Sequence, residues 1–161
     1  MNKKTRQVAS SGPKSQTGQD RKNLYAGCLE RVSKALDEGY ALEAITLLES
    51  LIADRLEARL AYINGQRAEK RKFSTLGCLT QELKGTKAGE PKEAVAMYDA
   101  VDDWATLRNE AVHEFAKLSE GNSKNWDAKY KTAKKAAKNG KKLFRDLDKV
   151  IRKLNKNSSD D

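Results

Sequence analysis

Histidine occurs once in this 161-residue chain, and cysteine and proline twice each; aromatic residues make up only 6%. Cys28 and Cys78 with the single His113 fit no metal-ligand spacing, so neither a metal site nor a cofactor is expected. Both cysteines fall on apolar positions of helical patterns, which predicts buried, reduced thiols. No run approaches the roughly 20 apolar residues of a membrane span. The N-terminus has no apolar core of a secretory signal; basic, serine-containing and poor in acids, it superficially resembles a mitochondrial presequence, and a flexible basic tail is the simpler reading. The expected location is therefore the cytoplasm, with no membrane partner. Strand-like alternation and helical repeats are absent as well.

Charge is what the chain has in quantity. Charged residues make up 34% and hydrophobic residues 38%, a balance suited to a helical protein with narrow apolar seams. The net charge of +9 favours an acidic partner, nucleic acid ahead of a membrane surface. The plainer alternative is a globular protein with a basic tail. The length suffices for one well-packed domain.

Residues 1–19, with Lys3, Lys4, Arg6 and Lys14 among Ser, Thr, Gln and Gly, have too little apolar surface to order themselves and read as a disordered basic tail. A single helical domain is expected over 20–156, followed by a flexible C-terminus at 157–161. A first helix starts near Asp20, a plausible N-cap; it buries Tyr25, Cys28, Leu29, Val32 and Leu36 and ends at Gly39. A second, from about Ala41 to Asn64, has the broadest apolar face in the chain. Leu42, Ile45, Leu48, Ile52, Leu56, Leu60 and Ile63 recur at helical spacing, which marks a central helix; Glu49, Asp54, Arg55, Glu57 and Arg59 supply its charges.

A basic loop, Gln66 to Lys72, precedes a shorter helix from Ser74 to Lys84. Pro91 then stands where a first helical residue belongs, and a helix runs on to Leu118. The last helix, about Lys124 to Leu154 and capped by Ser123 or Asn125, carries a heptad seam from Trp126 and Tyr130 to Ile151 and Leu154. Small residues at Ala133, Ala137 and Gly140 would let another backbone approach closely. The fold class expected is all-α, a bundle of four or five helices with a long basic C-terminal helix.

Lys134, Lys138 and Lys141 on that last helix, with Arg67, Lys70, Arg71 and Lys72 of the loop, form a candidate phosphate-attracting surface. A lysine-clad helix also reads simply as a solvated face.

One helix breaks its own pattern. Met97, Val101, Trp104, Ala111, Phe115 and Leu118 form a stripe at four- and three-residue steps, and Arg108 falls inside it. A guanidinium keeps its charge, so an inward position requires an anion or an opening to solvent. Asn109 follows at once and His113 comes five residues later.

The stretch Trp104-Ala-Thr-Leu-Arg108-Asn109-Glu-Ala-Val-His113 resembles the signature of HEPN-domain proteins, all-helical domains with an arginine, often followed by Asn, Asp or His, and then a histidine after a short gap. The preceding helix, ALEAITLLESLIADRLEARL, is similar to the one that packs under the motif in that family. The resemblance covers about Tyr40 to Leu118. It implies a metal-independent endoribonuclease, active as a homodimer that brings two motifs into one cleft, often a toxin paired with an antitoxin or a phage-defence effector. Some members serve instead as non-catalytic RNA-binding or scaffold domains, so a helical module binding RNA or a protein partner is the alternative. Arg108, Asn109 and His113 are the positions that match.

The chemistry is coherent. Histidine, with an ordinary pKa near 6.5, serves as acid or base at neutral pH. Arginine grips a phosphate through parallel hydrogen bonds, and Asn109 could orient the scissile group or the imidazole. The expected products carry 2′,3′-cyclic phosphate and 5′-hydroxyl ends. Five residues, however, rotate about 140° around an ideal helix, so Arg108 and His113 do not share a face, whereas Asn109 and His113 do. Three solutions stand open: a wrapped arginine side chain, a distorted helix, or completion across a dimer. Arg108 also has a purely structural reading, an ion pair with Asp54 or Glu49 of the central helix.

Overall fold

The structure, a computed structural model, describes residues 5–8, 16–65, 69–72, 74–86, 89–113, 115, 117 and 125–157. Five helices make an all-α bundle: α1 (Gln16–Glu38), α2 (Ala41–Ile63), α3 (Leu76–Lys84), α4 (Lys92–His113) and α5 (Trp126–Asn157). Among the described residues, no helix is long and apolar enough to cross a membrane.

The central helix is α2. It packs against α1, α3 and α5, and its Ile45, Leu48, Ile52, Leu56 and Leu60 are essentially sealed from solvent. Each such side chain contributes about 1.5–3 kcal/mol of transfer free energy. α5 covers α2 and α4 along Ala133, Ala137, Phe144, Leu147 and Ile151, the heptad positions that the sequence marks. α2 and α5 run parallel, since Arg55 meets Asp148 and Arg59 meets Asn155. α4 is antiparallel to α2: Glu90, just before α4, meets Arg59 late in α2, while Arg108 late in α4 meets Glu49 early in α2.

Several local expectations are corrected. Asp20 is no N-cap, because α1 starts at Gln16; Asp20 accepts a hydrogen bond from the Gln16 side chain at 2.8 Å inside the helix. α3 starts at Leu76 rather than Ser74, with Thr75 as its cap accepting from the Cys78 backbone at 3.3 Å. Of the two caps expected for α5, Asn125 holds, accepting from the Ala128 backbone at 3.0 Å, and Ser123 lies outside the described residues. α4 ends at His113, short of Leu118, because Phe115 turns aside to stack edge-on against Trp126 at 4.7 Å. Leu118 lies outside the described residues. Trp126 itself is exposed rather than a seam residue. Both thiols are free; Cys28 is half-buried and Cys78 exposed, since α3 is short and turns Leu76, Leu79, Thr80 and Leu83 inward instead.

The N-terminal segment and the basic loop meet. β1 (Thr5–Val8) pairs antiparallel with β2 (Glu69–Lys72), Thr5 opposite Lys72 and Val8 opposite Glu69. β1 also runs beside α2. Two four-residue strands joined across some 60 residues leave no local alternation to read, and they do not change the all-α class.

The charges of α2 are the larger surprise. Arg55, Glu57 and Arg59 are buried, because neighbours surround the helix. Arg59 donates to both oxygens of Glu90 (2.8 and 3.1 Å) and to Asn155 Oδ1 (2.6 Å), and Tyr98 donates its hydroxyl to the same carboxylate at 2.6 Å. Arg55 Nε stands 2.9 Å from Asp148 Oδ1, but the N–H is not aimed at the oxygen, so the contact is an ion pair without a hydrogen bond. Tyr25 donates to Asp54 at 2.7 Å. Burial first, then the adjacent carboxylate, pushes the Tyr25 and Tyr98 hydroxyls well above the usual phenol range.

Candidate functional site

Trp104 fixes the register of α4 one turn before the motif. Its indole lies against Gly140 and donates to the Ala136 carbonyl at 2.8 Å, so the small-residue notch on α5 receives a side chain and not another backbone. One turn on, Arg108 points toward α2 and pairs with Glu49. This is the anion that its inward position requires. Asp54 plays no such part, since Arg21 (3.0 Å) and Tyr25 hold it.

Arg108 has a second contact. Its Nη1 donates to Asn109 Oδ1 at 2.6 Å, so the guanidinium spans from Glu49 on α2 to the side chain next to it on α4. Its Nε is buried and makes no hydrogen bond. Asn109 shares a helix face with His113, four residues on. The arginine therefore reaches the edge of the histidine's face by bending its side chain. Among the described residues no hydrogen bond or ion pair joins Arg108 to His113. His113 is exposed at the last position of α4.

That position matters because of what else collects there. The α4 C-terminus lies at the same end of the bundle as the start of α2 and the start of α5, as the helix directions require. Tyr40, Leu42, Val112 and Trp126 are exposed at this end, Trp126 by 66%. Four of the five large apolar side chains left in solvent among the described residues thus surround the histidine's end. Sequence reasoning missed this group, because it draws on three elements far apart in the chain, the start of α2 (Tyr40, Leu42), the end of α4 (Val112) and the start of α5 (Trp126), and Trp126 continues a heptad.

The predicted basic residues divide. Lys134, Lys138 and Lys141 come together on the side of α5 that faces α1, joined by Lys142 and Arg145. Their spacing of four, three, one and three residues on one helix is the signal that could have added the last two. Lys70, Arg71 and Lys72 belong to β2, and Arg67 lies outside the described residues. Among the described residues no cluster of His, Cys, Asp and Glu could hold a metal ion.

No family model, curated protein or solved structure matches the chain.

Proposed function

We propose that this protein is a metal-independent endoribonuclease of the HEPN type, with Arg108, Asn109 and His113 as its catalytic group and a homodimer as its active form. The observation that carries the reading is the guanidinium braced by Glu49 and drawn to Asn109, on the face that His113 shares. Glu49 positions the arginine while leaving donors for a phosphate. The Glu49 side chain is itself more than a third exposed, so their attraction is screened and a phosphate can compete for the guanidinium.

In this reaction an imidazole takes the proton from the ribose 2′-hydroxyl, and that oxygen attacks the adjacent phosphorus. The bond to the 5′-oxygen breaks, a second acid protonates the leaving oxygen, and a 2′,3′-cyclic phosphate and a 5′-hydroxyl result. Arg108 stabilises the charge that builds on the phosphoryl oxygens. One chain offers one imidazole. The exposed Tyr40, Leu42, Val112 and Trp126 at the same end supply an apolar surface on which a second copy would bring a second imidazole. A toxin or phage-defence role, with an antitoxin as partner, follows from the same resemblance.

The test is cleavage of RNA in EDTA, with analysis of the product ends. His113→Ala is expected to lower the rate by about 10²–10⁴, and Arg108→Ala to a similar degree. Glu49→Gln is expected to give a smaller loss, through misplacement of the arginine. Undiminished cleavage in His113→Ala and Arg108→Ala, or none in the unaltered protein, overturns the proposal. The lysines of α5 favour a second reading if cleavage is absent: a non-catalytic module that binds RNA or a protein partner through its basic surface.

A further inference from the structure

The long basic helix does more than coat the bundle with charge. Between α1 and α5 runs a groove of about 640 Å³, and five cations line it: Lys134, Lys138, Lys141, Lys142 and Arg145. Opposite them, α1 contributes Ser33 and Leu36. Asp37 and Asp146 also line it, so five positive charges stand against two negative ones, a net of +3 in one groove. We propose that this groove binds the phosphodiester backbone of single-stranded RNA, apart from the site of cleavage, and feeds the strand toward His113. The proposal rests on RNA being the substrate.

Three observations favour this occupant. The cations form a line: at 1.5 Å per residue, Lys134 to Arg145 covers about 17 Å along α5, room for several consecutive phosphates. Second, the groove has a built wall. Lys141 Nζ donates to Ser33 Oγ at 2.8 Å, which ties α5 to α1 and sets this lysine's position. Leu36 adds an apolar surface for a ribose or a base.

The third observation is direction. Trp126 begins α5, stacks on Phe115 two residues beyond His113, and lies about 12 Å along the helix from Lys134. A strand leaving the groove at its Lys134 end comes out at the end of the bundle that carries His113. The groove lies between α1 and α5, whereas Arg108 and Glu49 meet between α4 and α2. The two sites can therefore be disabled separately.

The experiment uses the full chain and a fluorescein-labelled single-stranded RNA of mixed sequence and about 20 nucleotides, longer than the stretch one small domain covers. Binding is followed by anisotropy across a series of salt concentrations. The triple variant Lys134→Gln, Lys138→Gln, Lys142→Gln keeps Lys141 and its bond to Ser33. It is expected to weaken binding about tenfold or more near 0.1 M salt and to flatten the slope of log K against log salt by about 2, from about 0.7 per lost phosphate contact on a single strand. The control Lys22→Gln, Lys92→Gln, Lys135→Gln removes the same charge from exposed positions outside the groove and is expected to change the slope by less than half as much. Helical content by circular dichroism checks that both variants fold.

Equal losses in the two triples show that only net charge matters and overturn the proposal, as does RNA binding that the groove triple leaves intact or an unaltered protein that binds no RNA. Tighter binding of polyglutamate than of RNA assigns the groove to an acidic protein and overturns it as well. The nuclease reading fails separately. RNA bound through the groove without cleavage removes that reading and keeps this one, whereas cleavage with unchanged binding in the groove triple does the reverse.

Discussion

Replacing Gly140 with alanine sets two well-calibrated effects against each other. Inside an exposed helix this change is favourable, by about 0.5–1 kcal/mol, because glycine loses more backbone freedom on folding. At Gly140 of α5 a Cβ would stand 2.7 Å from Cε2 and Cζ2 of Trp104 and 2.8 Å from its Nε1. Carbon atoms pack best at about 3.5–4.0 Å, so something must move by close to an ångström. The indole is not free to do so: it is buried, and its Nε1 donates to Ala136 at 2.8 Å. Overpacking of this kind costs about 1–3 kcal/mol. Losing the indole's hydrogen bond in a buried site adds about 1–3 kcal/mol more if the ring is expelled.

The steric side wins, and a net loss of about 1–3 kcal/mol is expected. In a chain of this size that is a fall in Tm of about 2–12 °C. Thermal and urea unfolding followed by circular dichroism measure it. Gly27→Ala is the matched control, since a Cβ there meets nothing within 4 Å in α1, and it should raise stability by about 0.5–1 kcal/mol. Trp104→Phe shrinks the ring and removes the donor, so the double variant with Gly140→Ala should be less unstable than the two losses summed. A Gly140→Ala protein as stable as the unaltered one would refute the packing described between α4 and α5. Because Arg108 stands one turn beyond Trp104, the same variant should, on the proposed nuclease reading, also lower RNA cleavage beyond what its stability accounts for.

Other outcomes follow from the buried polar groups. Glu90→Ala strands the Arg59 guanidinium, whose side chain is 7% exposed, and should cost about 3–5 kcal/mol in urea unfolding; a loss under about 1 kcal/mol would show that Asn155 or solvent satisfies it. The buried hydroxyls of Tyr25 and Tyr98 keep their protons in the fold beyond the pH at which an unfolded phenol loses them, near 10. Their contribution is therefore fully present below about pH 10 and falls as pH rises further, by up to about 1.4 kcal/mol per pH unit for each tyrosine. Urea midpoints between about pH 9 and 11 should drop less steeply in Tyr25→Phe and Tyr98→Phe; identical slopes would sink this account.

The sequence alone determined the helices and their faces. The apolar period of α2 and the heptad of α5 each repeat over six turns or more, and a pattern that long cannot be buried in another way. It also marked Arg108 as a charge in an apolar stripe, with Glu49 named as one of two possible partners. The choice between Glu49 and Asp54 was tertiary, because it depends on how far α4 slides along α2 and on Arg21 and Tyr25 of α1 claiming Asp54. The same holds for Arg55 and Arg59. They look like ordinary surface charges of an amphipathic helix, and they are buried because neighbours close over more of α2 than its apolar face covers. The α1–α5 groove, the pairing of β1 with β2, and the apolar side chains around His113 each join residues far apart in the chain. Contacts of that kind depend on how preformed helices dock, and no local spacing encodes them.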